Sequence, residues 1–341
     1  MHTASVATPP IEGSFIVSET RDGQRVAVVT DSTADLSAAM AEDLDLRVVP
    51  MSVTFGNETF ISGVTIDDQE FYRRLDSAPT LPTTAQPNPH WFLEAWQDAA
   101  DDGHEAVVSL HVSRELSGTV SQARRLAATA TLPITVVDSR QVGGGLALMV
   151  LAAQRAARAN GTTSEVVLAA RRVGEQVLNR VVVATMENLR RGGRVSGPQA
   201  LVGRALRVRP ILGVQDGAIV PMGRTRTQRR AFDDIARELL DAFGDVPMAA
   251  VVTHAVAPSV AEMAVEVLDD VLDLRQHHIQ VFGPVLGTHA GEGAVAIAAV
   301  PAALVAGPSG SEETTDTSDA PDAPDVTDTP DTPDTPGAAR S

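Results

Sequence analysis

The chain has 341 residues, 43% of them apolar, with no cysteine and a formal net charge of −17. The absence of cysteine excludes disulfides and thiolate metal sites, and no apolar run reaches the roughly 18 to 20 residues of a spanning helix, since the longest stretch, 295–306, is broken by Pro301. Residues 308–341 hold nine acidic residues and one arginine, −8 in all, which leaves −9 on the rest, so the body lacks the basic face of a nucleic-acid binder.

Length favours two compact units with tails. Residues 1–24 read as a flexible segment without the ordered regions of a secretory signal, which makes the cytoplasm the simplest location. At the other end, 307–341 repeats Asp, Thr and Pro with almost no large apolar side chain; it cannot offset its ordering entropy and reads as a disordered, solubilising tail.

Between these ends, strand and helix alternate. The β-branched run 25–30 (RVAVVT) ends at Asp31 and is followed by DSTADLSAAMAEDL, a capped helical stretch. The order recurs at 106–110 before SGTVSQARRLAATA and at 134–137 before GGGLALMVLAAQRAARANG, the grammar of a mostly parallel sheet with flanking helices over 25–161. After the stop at Asn160 and Gly161 and the restart TTSEVVLAARRVGEQV, strands are expected at 180–185, 207–214, 218–220, 249–253 and 279–282. These predict a second, mixed α/β domain over 162–306.

Ligands in open parallel sheets gather beyond the carboxyl ends of strands. Three polar loops follow that rule: TDSTADL with Asp31 and Ser32, SRELSGT with Ser117 and Gly118, and DSRQVGGG. Ser117 precedes a helix amino terminus, where it could meet an anion or merely cap its own helix. In LPTTAQPNP (81–89), prolines restrict the backbone that presents Thr83 and Thr84; a rigid recognition loop and a plain turn explain it almost equally. ENLRRGGRVSG (187–197) sets Arg194 beside paired glycines without a Walker signature, and GPVLGTHAGEGA (283–294) sets His289 among glycines in an expected loop. No metal-binding pair or GxSxG elbow is present.

Together these segments resemble the DegV family, whose members include the fatty-acid-binding subunit of bacterial fatty acid kinase. The resemblance spans about 26–300 and rests on VVTDSTADL, PTTAQPNP, SRELSGTVSQA, VVDSRQVGGGLAL, LRRGGRVSG, RVRPIL with DGAIVPMGRTRT, and GTHAGEGA. It implies a two-domain α/β fold with a buried acyl tunnel, and a long-chain fatty acid whose carboxylate bonds to Thr84 and Ser117. It further implies that Arg194 and His289 help present the head group to a separate kinase subunit, which forms the acyl phosphate; this chain would be a carrier with no cofactor and at most transient membrane contact. Thr83, Asp31, Ser32, Gly118 and Arg209 are weaker candidates for the same region. Departures include Ala85 and Asn88 at frequent serine positions, Val120 at a frequent tyrosine, and Glu292 at a frequent proline, where a carboxylate could repel the bound acid. Two alternatives stand beside this reading: an independent phosphoryl-transfer enzyme, which would need a nucleotide-phosphate loop, and a lipid-sensing module without a kinase partner.

Overall fold

In a computed structural model, residues 25–196 and 208–306 are described. The expected flexible segment 1–24, the acidic tail, and two motif residues, Gly197 and Arg207, lie outside them. Strand β1 (Val26–Asp31) is buried along its whole length because both faces of its sheet are covered. It pairs in parallel with β2 (Arg47–Val49) on one side and β6 on the other, and β6 (Ala106–His111) pairs in parallel with β7 (Ile134–Asp138), giving the order β2-β1-β6-β7. Period-two alternation sends Ala27 and Val29 toward Phe92, Ala95 and Trp96 of α3 (Pro89–Asp101), and Val26 and Val28 toward the opposite layer.

That opposite layer contains α5 (Gly144–Arg158) and α6 (Thr163–Gln176). Helix α5 is hydrophobic on nearly every side because it lies between two sheets. On its far side are β11 (Met248–His254) and β13 (Val295–Pro301), with Ala249, Val251, Ala298 and Val300 in the same core as Leu146 and Val150. A Cβ on Gly144 would lie 3.0 Å from that of Ala298 and 3.1 Å from that of Val251, so the glycine run lets the helix approach the second sheet. The expected boundary at 161/162 falls between α5 and α6, which pack against each other.

The second sheet has six strands in the order β10-β9-β8-β13-β11-β12. Its remaining members are β8 (Leu178–Val182), β9 (Arg209–Gln215), β10 (Ala218–Thr225) and β12 (Leu274–Val281). Only β11 and β12 run parallel to each other; β13 is antiparallel to both β8 and β11. The outer face is covered by α8 (Gln228–Phe243) and α9 (Pro258–Asp269), which bury Phe232, Ile235, Leu239 and Val267. The α/β expectation holds for fold class, but it does not include β13, because a fully buried strand has no alternation to reveal it.

A third sheet, in the order β4-β3-β5, comes from a region without expected strands. It joins β3 (Ser52–Phe55), β4 (Glu58–Ile61) and β5 (Thr83–Ala85), and β5 lies antiparallel to β3 with Thr84 opposite Val53. Beside it, α2 (Asp68–Ser77) packs on α10 (Pro284–Ala290), which follows β12. The Gly283 N–H donates to Asp35 Oδ1 at 3.1 Å, and the Tyr72 hydroxyl donates to the Phe282 carbonyl at 2.8 Å, so two bonds fix the entry to α10.

Asp35 is buried in the left-handed region (φ 51°) and its Oδ2 has no partner. Burial, followed by the charge of Asp68, pushes its carboxyl well above the usual range. A raised carboxyl pKa means that the folded state holds its proton more tightly than the unfolded chain, so this contribution is complete at acid pH and is lost as pH rises through the folded value. Asp35→Asn keeps an acceptor for Gly283 and cannot ionise. Its melting temperature should exceed that of the wild type at about pH 8, and the gap should close below about pH 4, where both forms are neutral. An equal gap at both ends would contradict a role for ionisation.

Candidate ligand site

The site forms where the first loop, β5, the α4 entry and α10 converge. Helix α4 (Thr119–Ala127) begins at Gly118, and a Cβ there would collide with Gln86 Oε1. Gln86 donates to Gln122 of α4, and Gln122 Nε2 donates to the Pro87 carbonyl at 2.7 Å. This glutamine pair clamps the strand carrying Thr84 against the helix preceded by Ser117. Gly118 therefore provides space rather than a ligand contact.

Thr84, Gln86, Ser117, Arg194 and His289 line one cavity of about 60 Å³, together with Thr33 and apolar residues. Thr83 points away and is exposed, since side chains alternate along β5. Thr84 Oγ1 lies 2.9 Å from His289 Nε2. The imidazole sits in the last turn of α10 rather than in a loop as expected: Pro284 at the first helical position and Gly291 after the last permit a short helix within that glycine-rich segment. Burial first, and the neighbouring Arg194 second, lower the His289 pKa to about 4. The ring is therefore neutral near pH 7. Its Nδ1 is buried without a partner, and Gly192 gives it room, since a Cβ there would collide with the ring.

Arg194 is anchored by two carbonyls, with Nε donating to Leu116 at 3.4 Å and Nη1 donating to Gly192. Ser117 combines both roles considered from sequence. Its oxygen accepts from the Thr119 N–H at 3.4 Å and lies 2.7 Å from the Thr119 hydroxyl, yet the residue also lines the cavity.

Asp31 and Ser32 are held elsewhere. Asp31 is fully buried, with Oδ1 accepting from the N–H and hydroxyl of Thr33 at 3.1 and 2.6 Å, and Oδ2 accepting from the Val112 N–H at 3.0 Å and from His111 Nδ1 at 3.1 Å. Burial alone would raise its pKa, but the His111, Thr33 and Val112 bonds outweigh it and hold the carboxyl below its usual value. Ser32 Oγ accepts from the Met51 N–H at 3.1 Å. Arg209 lies on β9 and does not line this cavity, and Glu292 is exposed and also outside the lining. Thr33, which sequence reasoning passed over, is the residue of TDST that reaches the cavity.

A second, apolar cavity of about 70 Å³ adjoins the first. Both share Val142, Ile219, Leu286 and His289, while the second is walled by Val181, Val183, Leu189, Phe282 and Ala296. Ile219 and Leu286 lie within the segments DGAIVPMGRTRT and GPVLGTHAGEGA, but as plain apolar residues they carry no sign of a site until tertiary packing brings β10 and α10 together. Polar groups at one end and aliphatic walls beyond suit an amphipathic anion.

The chain matches, over residues 25–302, the family model described as "Uncharacterised protein, DegV family". It belongs to the DegV family. A DegV domain-containing protein of Streptomyces coelicolor is 36% identical over 275 residues, covering 80% of this chain and 98% of the relative. Among solved structures, a DegV family protein from Thermus thermophilus described for its fatty acid binding superposes with TM-score 0.75 at 30% identity, covering 82% of this chain and all of that one. DegV from Bacillus subtilis, described as a fatty acid binding protein, gives TM-score 0.72 at 30% identity over 81% of this chain and 99% of that one. The DegV match agrees with the α/β architecture of one parallel and one mixed sheet. Among the described residues, no helix is long and apolar enough to cross a membrane.

Proposed function

We propose that this DegV protein binds a long-chain fatty acid, with the carboxylate between Thr84 and Ser117 and the chain directed past His289 into the apolar cavity. The observation that carries this reading is that the two cavities adjoin at Val142, Ile219, Leu286 and His289, the first with Thr84, Ser117 and Arg194 in its lining and the second almost wholly apolar. The fatty-acid-binding DegV proteins of similar fold support it. Because each cavity is small beside the roughly 300 Å³ at which small-molecule sites begin, accommodating an acyl chain requires the Ile219 and Leu286 side chains to move aside. Binding is therefore coupled to opening between β10 and α10.

We further propose that the chain is a carrier rather than a catalyst, presenting the carboxylate to a separate kinase subunit in the cytoplasm. Arg194, anchored at the rim by backbone carbonyls, is the group that contributes to presentation. Native mass spectrometry of the purified chain, before and after denaturation, is the direct test. A mass excess of one fatty acid per chain that disappears on unfolding is expected. A chain that stays at its apo mass after incubation with excess palmitate would overturn the lipid reading.

A further inference from the structure

A third cavity lies away from the candidate site and is much larger, about 470 Å³. That volume is within the roughly 300 to 1,000 Å³ range of small-molecule sites. One side is a stripe of α5, with Leu148 and Leu151 followed by Arg155 and Arg158 at the carboxyl end of the helix. Opposite it are Ala249 and Ala250 of β11, and Gln276 and His278, which share one face of the edge strand β12. Leu44 and Val305 complete the apolar wall.

The charge of this lining is opposite to that of the molecule. The chain carries −17, yet the cavity contains two arginines and a histidine and no carboxylate. Arg158 Nη2 donates to the Asp43 carbonyl, and neither guanidinium forms an ion pair among the described residues. Basic residues at a helix carboxyl end compensate its dipole. That accounts for their position but not for the leucine-lined hollow beneath them.

We propose that this cavity is a second ligand site, for a free single-chain amphiphile with an anionic head group. The head group would take charge-assisted bonds from Arg155 and Arg158, with the chain lying against Leu44, Leu148, Leu151 and Val305. Both guanidiniums are exposed and can reach a phosphate or a carboxylate without first breaking an internal ion pair. This site is independent of the head-group residues described above.

The test is calorimetry and native mass spectrometry of the full chain with dodecyl phosphate below its micelle concentration. The expected result is an equivalent whose affinity falls at least roughly tenfold in the double variant Arg155→Ala, Arg158→Ala, since bonds to charged groups have this magnitude. Leu151→Gln should weaken the same equivalent, and dodecyltrimethylammonium should not occupy it. Combining Thr84→Ala with Ser117→Ala should leave it intact, which separates failure of this proposal from failure of the fatty acid reading. Dodecyl phosphate binding that is indifferent to both the arginine and Leu151 variants overturns the proposal. So do vesicle-only binding to anionic phospholipid, which would indicate a membrane contact, and a dimer dissolved by the arginine variant.

Discussion

Replacing Thr84 and Ser117 together by alanine is expected to leave the protein folded, to weaken fatty acid binding at least tenfold and to abolish acyl phosphate formation with a kinase subunit. Burying about 14 methylenes is worth roughly 11 kcal/mol before association costs, whereas each bond to a charged carboxylate is worth roughly 1.5 to 3 kcal/mol. On the proposed reading, the chain would supply most of the affinity and the hydroxyls would determine where the carboxylate sits. Thr84 is also a bonding partner of His289, so the variant additionally leaves Nε2 without its hydroxyl. Binding by titration, phosphate transfer with added kinase and thermal melting should be measured on one preparation. Unchanged binding and unchanged transfer would remove the carboxylate from this cavity. Arg194→Ala serves as the companion, with binding retained and transfer impaired; a large binding loss would instead make Arg194 a principal ligand contact.

The largest effect on stability is expected from Asp31→Ala, at roughly 3 to 5 kcal/mol, the range for removing one partner of a buried charged network. Trp96 Nε1 donates to Ser109 Oγ at 3.2 Å, and Ser109 lies 2.7 Å from His111 Nε2. Because indole is only a donor and carboxylate only an acceptor, Trp96 donates to Ser109 and His111 Nδ1–H donates to Asp31, so the two ends of the chain have fixed directions. Removing Asp31 strands the His111 Nδ1–H, the Val112 N–H and both Thr33 donors in the interior. Urea unfolding of Asp31→Ala and Ser109→Ala tests this account. Ser109→Ala should cost less, about 1 to 3 kcal/mol, and near-equal losses would show that Asp31 does not anchor the network. The Ser, His and Asp resemble a hydrolytic triad in type, but all three are fully buried and the hydroxyl is occupied at both ends. The arrangement is structural.

Much of the architecture was legible because local chemistry and tertiary demand agree in those segments. The parallel strands β1, β6 and β7 are short β-branched runs followed by caps, and the polar loops after them mark the end of the sheet where a site forms. Thr84, Ser117, Arg194 and His289 stood out as polar groups in constrained or glycine-rich settings, and the structure places all four around one cavity. Asp31 stood out for the same reason but turned inward, since a carboxylate at a strand end can serve the core as readily as a ligand. Glu292, whose charge threatened the anion site, is exposed and outside its lining.

The alternation of strands and helices, the family pattern and the polar residues available to hold an anion can all be read from the residues alone. Which of them converge, and what lies beyond them, depends on how the elements pack. Periodicity reports which way a side chain points relative to its own element, but carries no information about the element it meets. The apolar wall at Ile219 and Leu286, the clamp between Gln86 and Gln122, and the arginine-edged hollow beside α5 each join segments far apart in the chain. Each exists only once packing sets the distance between them.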